Sequence, residues 1–350
     1  MAHGKRLNIQ EALDHAVRHH NAGRLPEAEI VYRKILKAEP RNSFALHLLG
    51  VIAHQFGDSH QALQLMTQAI AANPDYAGAH CNLGMVYKAL GQLESAVASY
   101  RRAIALDPGD AQAHNKLGNV LQAMGRFDAA IESYEQAIAL NPDYVNALNN
   151  LGLALMNAGR LADAIARCRQ ALEIEPVYAN AHTNLGLALH EQGALDAAIA
   201  SFRQAIACNG DDAEAHNNLG NALQENQRLD DAVDSYRRAI ACAPEYVDAH
   251  NNLGNALHEL DRHDDAAACY EAVLELEPEN ADAHNNLGLV FQDQGRFADA
   301  VARYRKALDI DQNYANAHSN IGLPLIALGQ AGEALAHFSN YLGAVPDNAD

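Results

Sequence analysis

Residues 215–220 read Ala-His-Asn-Asn-Leu-Gly, and the same six residues return at 249–254 and 283–288. Near copies stand at 79–84 (AHCNLG), 113–118 (AHNKLG), 147–152 (ALNNLG), 181–186 (AHTNLG) and 317–322 (AHSNIG), with a worn copy at 45–50 (ALHLLG). The closing glycines, from Gly50 to Gly322, are always 34 residues apart. A fixed period of that length marks a solenoid, in which each unit buries its apolar face against its neighbours. Counting from seven residues before each glycine gives ten units: 9–42, 43–76, 77–110, 111–144, 145–178, 179–212, 213–246, 247–280, 281–314 and 315–348. Residues 1–8 form an N-terminal extension and 349–350 the C-terminal end.

Composition agrees with an all-α chain. Alanine and leucine dominate, and tryptophan is absent. No apolar run approaches the ~20 residues of a membrane span. The opening MAHGKRLNIQEALDHA lacks the apolar core of a signal peptide. A net charge of −19 argues against nucleic acid, whose capture rests on clustered Lys and Arg, and suits basic partners or simple solubility. Cys81, Cys168, Cys208, Cys242 and Cys269 form no CxxC pair. Cys208 and Cys242 share a slot in neighbouring units, but stacked helices stand roughly 8–10 Å apart, too far for a disulfide. The five are expected to be buried thiols in a reducing, cytoplasmic compartment.

Each unit predicts two helices. Helix A carries the hexapeptide and runs to a glycine such as Gly91 or Gly295, which supplies a left-handed cap; Gln227 and Asp261 replace it in two units. Helix B follows, with acids in its first turn at Glu94, Asp128, Asp196, Asp230 and Asp264, and ends near a proline, from Pro40 to Pro346. Helix B keeps alanine in all ten units, from Ala28 to Ala334, expected to face the glycine of helix A. Four residues on stands a large filler such as Tyr100, Tyr236 or Phe202; Cys168 is the smallest and marks a soft spot. Pro324 should kink the last helix A. The apolar Leu335, Phe338, Tyr341 and Leu342 of the last helix B have no cap to cover them.

The period, the Leu-Gly pair, the alanine and aromatic of helix B and the turn proline resemble a tetratricopeptide repeat over 9–348. The resemblance implies a right-handed α-α superhelix whose concave face is lined by helices A. Departures are Ala16, Gly210, Gln312 and Pro324.

The slot before Leu-Gly holds Asn82, Asn150, Asn184, Asn218, Asn252, Asn286 and Asn320, interrupted by Lys116 and Leu48. Asn115, Asn149, Asn217, Asn251 and Asn285 stand one residue earlier, and Asn119, Asn221 and Asn255 three residues later. Asparagine disfavours a helix interior by several tenths of a kcal/mol, so seven repetitions invite an explanation. An amide offers donor and acceptor together and can hold the main chain of an extended peptide whatever its sequence. The plainer reading is that the amides bond one another and stiffen the stack. An asparagine ladder in this slot is similar to that in the superhelix of protein O-GlcNAc transferases, which implies that the seven asparagines, with Asn221 and Asn255, hold protein substrates by their backbone. Replacing Asn218, Asn252 and Asn286 by alanine should then keep or raise helicity and weaken peptide binding.

Acids flank the row: Glu214, Asp248 and Asp282 near the start of helix A, and Glu191, Glu225, Glu259 and Asp293 near its end. They favour a basic ligand or simply form a solvated face. The carboxylate clamp known in this repeat family needs basic slots, but Lys88 and Lys116 are isolated. The recurring His80, His114, His182, His216, His250, His284 and His318 are too far apart to share a metal and are expected to be core histidines. His258 and His263 are one residue too far apart for an HExxH helix face. No catalytic apparatus, metal site or cofactor is expected. The chain reads as a scaffold for extended or disordered segments, with preference for basic ones. The alternative is the substrate-recruiting arm of an O-GlcNAc-transferase-like enzyme whose catalytic domain lies outside this chain; a reading frame continuing past Asp350 would separate the two.

Overall fold

The computed structural model describes residues 8–344. Residues 1–7 of the extension, residues 345–348 of the tenth unit with Pro346, and the terminal pair 349–350 lie outside the described residues. The described residues form 21 α-helices and no strand. The chain divides into two compact units, Met1–Pro176 and Val177–Asp350. The first holds α1 (Ile9–Asn21), α2 (Leu25–Ala38), α3 (Ser43–Gln55), α4 (Ser59–Ala72), α5 (Ala77–Ala89), α6 (Leu93–Leu106), α7 (Ala111–Ala123), α8 (Phe127–Leu140), α9 (Val145–Asn157) and α10 (Leu161–Ile174). The second holds α11 (Ala179–Glu191), α12 (Leu195–Cys208), α13 (Ala213–Glu225), α14 (Leu229–Cys242), α15 (Val247–Glu259), α16 (His263–Leu276), α17 (Ala281–Asp293), α18 (Phe297–Ile310), α19 (Ala315–Asn320), α20 (Gly322–Ala327) and α21 (Ala331–Ala344). Within each unit consecutive helices pack in pairs, and successive helices A also touch one another.

The caps follow the sequence. Gly91 closes α5 with φ +72°, and Gln227 and Asp261 adopt the same left-handed backbone at +59° and +55°. Asp107, before Pro108, is extended at φ −135°, ψ 86°. Asn209 before Gly210 and Asp311 before Gln312 keep that geometry without the proline. Pro324 has no N–H to return to the carbonyl of Asn320, and the last helix A is broken into α19 and α20 at Ile321.

The packing differs from expectation in one respect. The glycine of helix A meets the aromatic of helix B rather than its alanine alone. A Cβ on Gly84 would lie 2.8 Å from the Tyr100 ring, and Gly118, Gly254 and Gly288 stand against Tyr134, Tyr270 and Tyr304 in the same way. The glycine is therefore a socket for the ring. Cys168 fills the socket at Gly152 with its sulfur and is fully buried. The expected burial of all five thiols is corrected. Cys81 and Cys168 are buried, Cys208 and Cys269 half-buried, and Cys242 exposed; all are free. Cys242 is the last residue of α14, where helix B leaves the stack. Leu335 and Leu342 of α21 are exposed, while Phe338 and Tyr341 are half-buried.

Candidate asparagine groove

Each of the seven row asparagines is half-buried. Where the bonds are defined, the rung runs from the row to the preceding repeat. Asn82 Nδ2 donates to His47 Nε2 at 2.7 Å, and Asn150 Nδ2 to Asn115 Oδ1 at 3.1 Å and Asn119 Oδ1 at 3.0 Å. Asn252 Nδ2 donates to Asn217 Oδ1 at 3.0 Å and Asn221 Oδ1 at 3.1 Å, and Asn320 Nδ2 to Asn285 Oδ1 at 3.0 Å. Lys116 does not interrupt this linkage. Its ammonium reaches Cys81 Sγ at 3.7 Å, the slot an asparagine would use.

Where these bonds form, the ladder also fastens one repeat to the next, so losing Asn252 removes an inter-repeat bond as well as a candidate peptide contact. Two rungs differ. Asn286 Nδ2 reaches only Asn255 Oδ1, at 3.5 Å, and Asn251 Oδ1 stays buried without a partner. Among the described residues the Asn218 side chain makes no hydrogen bond.

The internal bonds set which polar atoms remain. Asn252 spends its Nδ2 inside the stack, so its Oδ1 is the free end. Asn221 spends its Oδ1, which accepts from Asn252 and from the Tyr236 hydroxyl at 2.8 Å, so its Nδ2 is the free end. Asn255 is oriented alike, accepting from the Tyr270 hydroxyl at 2.7 Å. Asn221 and Asn252 line one concavity of about 440 Å³ with His190, Gln224, Glu225, Gln227, Tyr236 and Glu259.

Several of the tyrosine fillers also bond helix A through their hydroxyls. Tyr134 donates to Asn119 and Gln122, Tyr236 to Asn221 and Gln224, and Tyr304 to Gln292 at 3.3 Å. Leu153 and Leu187 in the asparagine slot face Cys168 and Phe202, which have no hydroxyl, whereas Leu289 faces Tyr304, whose hydroxyl bonds Gln292 alone. Burial raises the Tyr236 phenol well above its ordinary range, with Glu259 and Glu225 adding to the effect, so it stays a neutral donor. Gln224 was not singled out by the sequence, and Gln227 only as a helix cap. The signal for Gln224 is its position one turn after Asn221, where a buried tyrosine needs a second acceptor.

The acids named from the sequence are exposed, but several are bridged between repeats. Glu259 accepts from Gln224, Glu225 lies 3.0 Å from His190 Nε2, and Asp282 accepts from the Tyr314 hydroxyl. Of the period-34 histidines expected in the core, His284 and His318 are buried, while His80, His216 and His250 are only half-buried; all five clamp the turn before their helix. His80, His216 and His250 bond the carbonyls of Pro74, Gly210 and Pro244 at 2.9–3.0 Å and are half-buried. His284 and His318 make the same bond and are buried.

A family model described as the cilia and flagella-associated protein 70 C-terminal domain matches residues 2–218. One described as TPR repeat matches 225–261, 254–295 and 291–329. No curated protein matches the chain. Among solved structures, pilF of Pseudomonas aeruginosa is 20% identical over 61% of this chain and 96% of its own, with a TM-score of 0.52, and shares the fold. MamA is 28% identical over 47% of this chain and 97% of its own, with a TM-score of 0.44. YrrB, described as a TPR protein with an unusual peptide-binding site, is 24% identical over 53% and 95%, with a TM-score of 0.44.

Proposed function

The chain belongs to the tetratricopeptide-repeat family described as the cilia and flagella-associated protein 70 C-terminal domain, and from that premise we propose a scaffold that holds extended peptide segments along its asparagine row. Tetratricopeptide repeats mediate protein–protein interaction. The observation that supports the finer reading is the opposite orientation of Asn221 and Asn252 in one concavity. The Nδ2 of Asn221 suits a peptide carbonyl and the Oδ1 of Asn252 suits a peptide N–H. Neither demands a particular side chain.

The proposed contact row is Asn82, Asn150, Asn184, Asn218, Asn252, Asn286 and Asn320, with Asn221 and Asn255 as donors. Glu225 and Glu259 at the rim favour segments carrying Lys or Arg. The free cysteines suit a reducing, cytoplasmic setting. No helix among the described residues is long and apolar enough to cross a membrane.

A photoreactive group at exposed Gln227, which lines the concavity, should capture extended peptides of unrelated sequence. The same group at Arg203, which lines a separate depression, should not. Equal capture at both positions contradicts the reading.

The asparagine row also supports a second reading, a substrate-recruiting arm of an O-GlcNAc-transferase-like glycosyltransferase. Sequencing the gene beyond the codon for Asp350 tests it, since this reading requires a catalytic domain in frame.

A further inference from the structure

Helix B opens on leucine or phenylalanine in seven units (Leu25, Leu93, Phe127, Leu161, Leu195, Leu229 and Phe297) and on the small Ser59 and Ala331 in two, but on His263 at the start of α16. An imidazole there gives up the apolar contact its counterparts make. Its Nδ1 is shut off from solvent and has no hydrogen-bond partner. The ring of His258, from the last turn of α15, lies 5.5 Å away at an interplanar angle of 57°. His258 Nε2 is 2.7 Å from Oδ2 of Asp293, the last residue of α17. One ligand atom from each of the three residues lies within 4.8 Å of the other two.

The His258–Asp293 contact alone needs no special explanation, because Gln224 and Glu259, and His190 and Glu225, make the same link between repeats. His263 is what that ladder leaves unexplained. Its five-residue separation from His258 precludes a shared helix face. The turn brings the rings together instead, through Asp261 at φ +55°.

We propose that His258, His263 and Asp293 form a binding site for a divalent transition-metal ion of the zinc type. Two imidazoles and one carboxylate are a donor set zinc accepts, with water completing a tetrahedron. In such a site the ligand atoms stand about 3.3 Å apart. Here His258 Nε2 and Asp293 Oδ2 are 2.7 Å apart and all three ligand atoms lie within 4.8 Å of one another, within reach of that geometry by side-chain rotation. The His258 and Asp293 side chains are 25% and 45% exposed, which leaves the ion a way in. Bound there, the ion joins the ends of α15 and α17 to the start of α16 and clips two repeats together.

The test is titration of the tag-free full chain with Co²⁺, followed by its visible spectrum, and with Zn²⁺ by calorimetry. One tight site is expected. His263→Leu installs the residue type of the other repeats and should fold; it should weaken binding by about 100-fold or more, since even outer-shell changes cost 10–100-fold. Asp293→Asn should weaken it as well. His15 and His19, with Nε2 atoms 3.3 Å apart, are a rival pair, and His19→Ala should leave the tight site intact. Circular dichroism confirms the fold of each variant. Unchanged affinity in a folded His263→Leu, loss of the site in His19→Ala, or no tight site in the wild type would each overturn the proposal.

Discussion

Asn252 donates its side-chain amide to Oδ1 of Asn217 at 3.0 Å, across the boundary between two repeats. Asn217 is only 5% exposed, so that bond satisfies an acceptor on a buried residue. Removing a partner from a buried group costs about 1–3 kcal/mol. Asn252→Ala should therefore lower the unfolding free energy by about 1–2 kcal/mol. Asn218→Ala, which breaks no side-chain bond, should be neutral or gain a few tenths of a kcal/mol from helix propensity. Urea unfolding of the two variants beside the wild type distinguishes them.

Tyr236 and Asn221 form a second matched pair. Tyr236→Phe removes bonds of 2.8 and 2.9 Å to Asn221 and Gln224 and should cost about 1–2 kcal/mol. Adding Asn221→Leu recreates the Leu187–Phe202 combination of the preceding repeat. The double variant should lose less than the sum of the singles, read from a double-mutant cycle.

Glycine has two different roles, and alanine scanning separates them. Gly84→Ala drives a methyl to 2.8 Å from the Tyr100 ring and should cost about 1–3 kcal/mol by overpacking. Gly91→Ala meets nothing within 4 Å but must hold φ +72°, a strain of about 1–2 kcal/mol. In the opposite direction, Gln227→Gly relieves φ +59° and should stabilise by about 1 kcal/mol. Thermal unfolding of the three variants reads all of these effects.

His47 makes the fold acid-sensitive. Its ring contacts the Tyr76 hydroxyl at 2.8 Å and accepts from Asn82. Burial, with a smaller contribution from His20, lowers its pKa from 6.5 to about 4. The folded state therefore holds His47 neutral while the unfolded chain takes up a proton below pH 6.5. Its contribution is fully present above that value and is lost as pH falls toward 4, up to about 3 kcal/mol. Denaturant unfolding at pH 7 and pH 5 should show a smaller drop in His47→Gln than in the wild type.

The repeat, its helix pairs and its caps were legible in the sequence because they depend on local chemistry. Gly91 and Asp261 cap by backbone conformation, and Pro108 and Pro324 act on the residues beside them. The partners of the asparagines were not legible. An amide can bond a ligand or its neighbour with equal ease, and the choice rests on which atom of Asn252 meets Asn217 across the stack. His258 and His263 escaped for a related reason. Their encounter is made by a turn between helices, which no single-helix spacing encodes.

Recognition of peptide main chain is tested most directly by altering the peptide rather than the protein. An extended Lys-containing peptide that binds the wild type in fluorescence anisotropy is compared with a shuffled version and with one N-methylated at alternating residues. Shuffling should change Kd by less than about threefold, while N-methylation should weaken binding by about tenfold or more, as loss of one or two hydrogen bonds implies. Equal binding of the N-methylated peptide, or loss of binding on shuffling alone, would contradict the account.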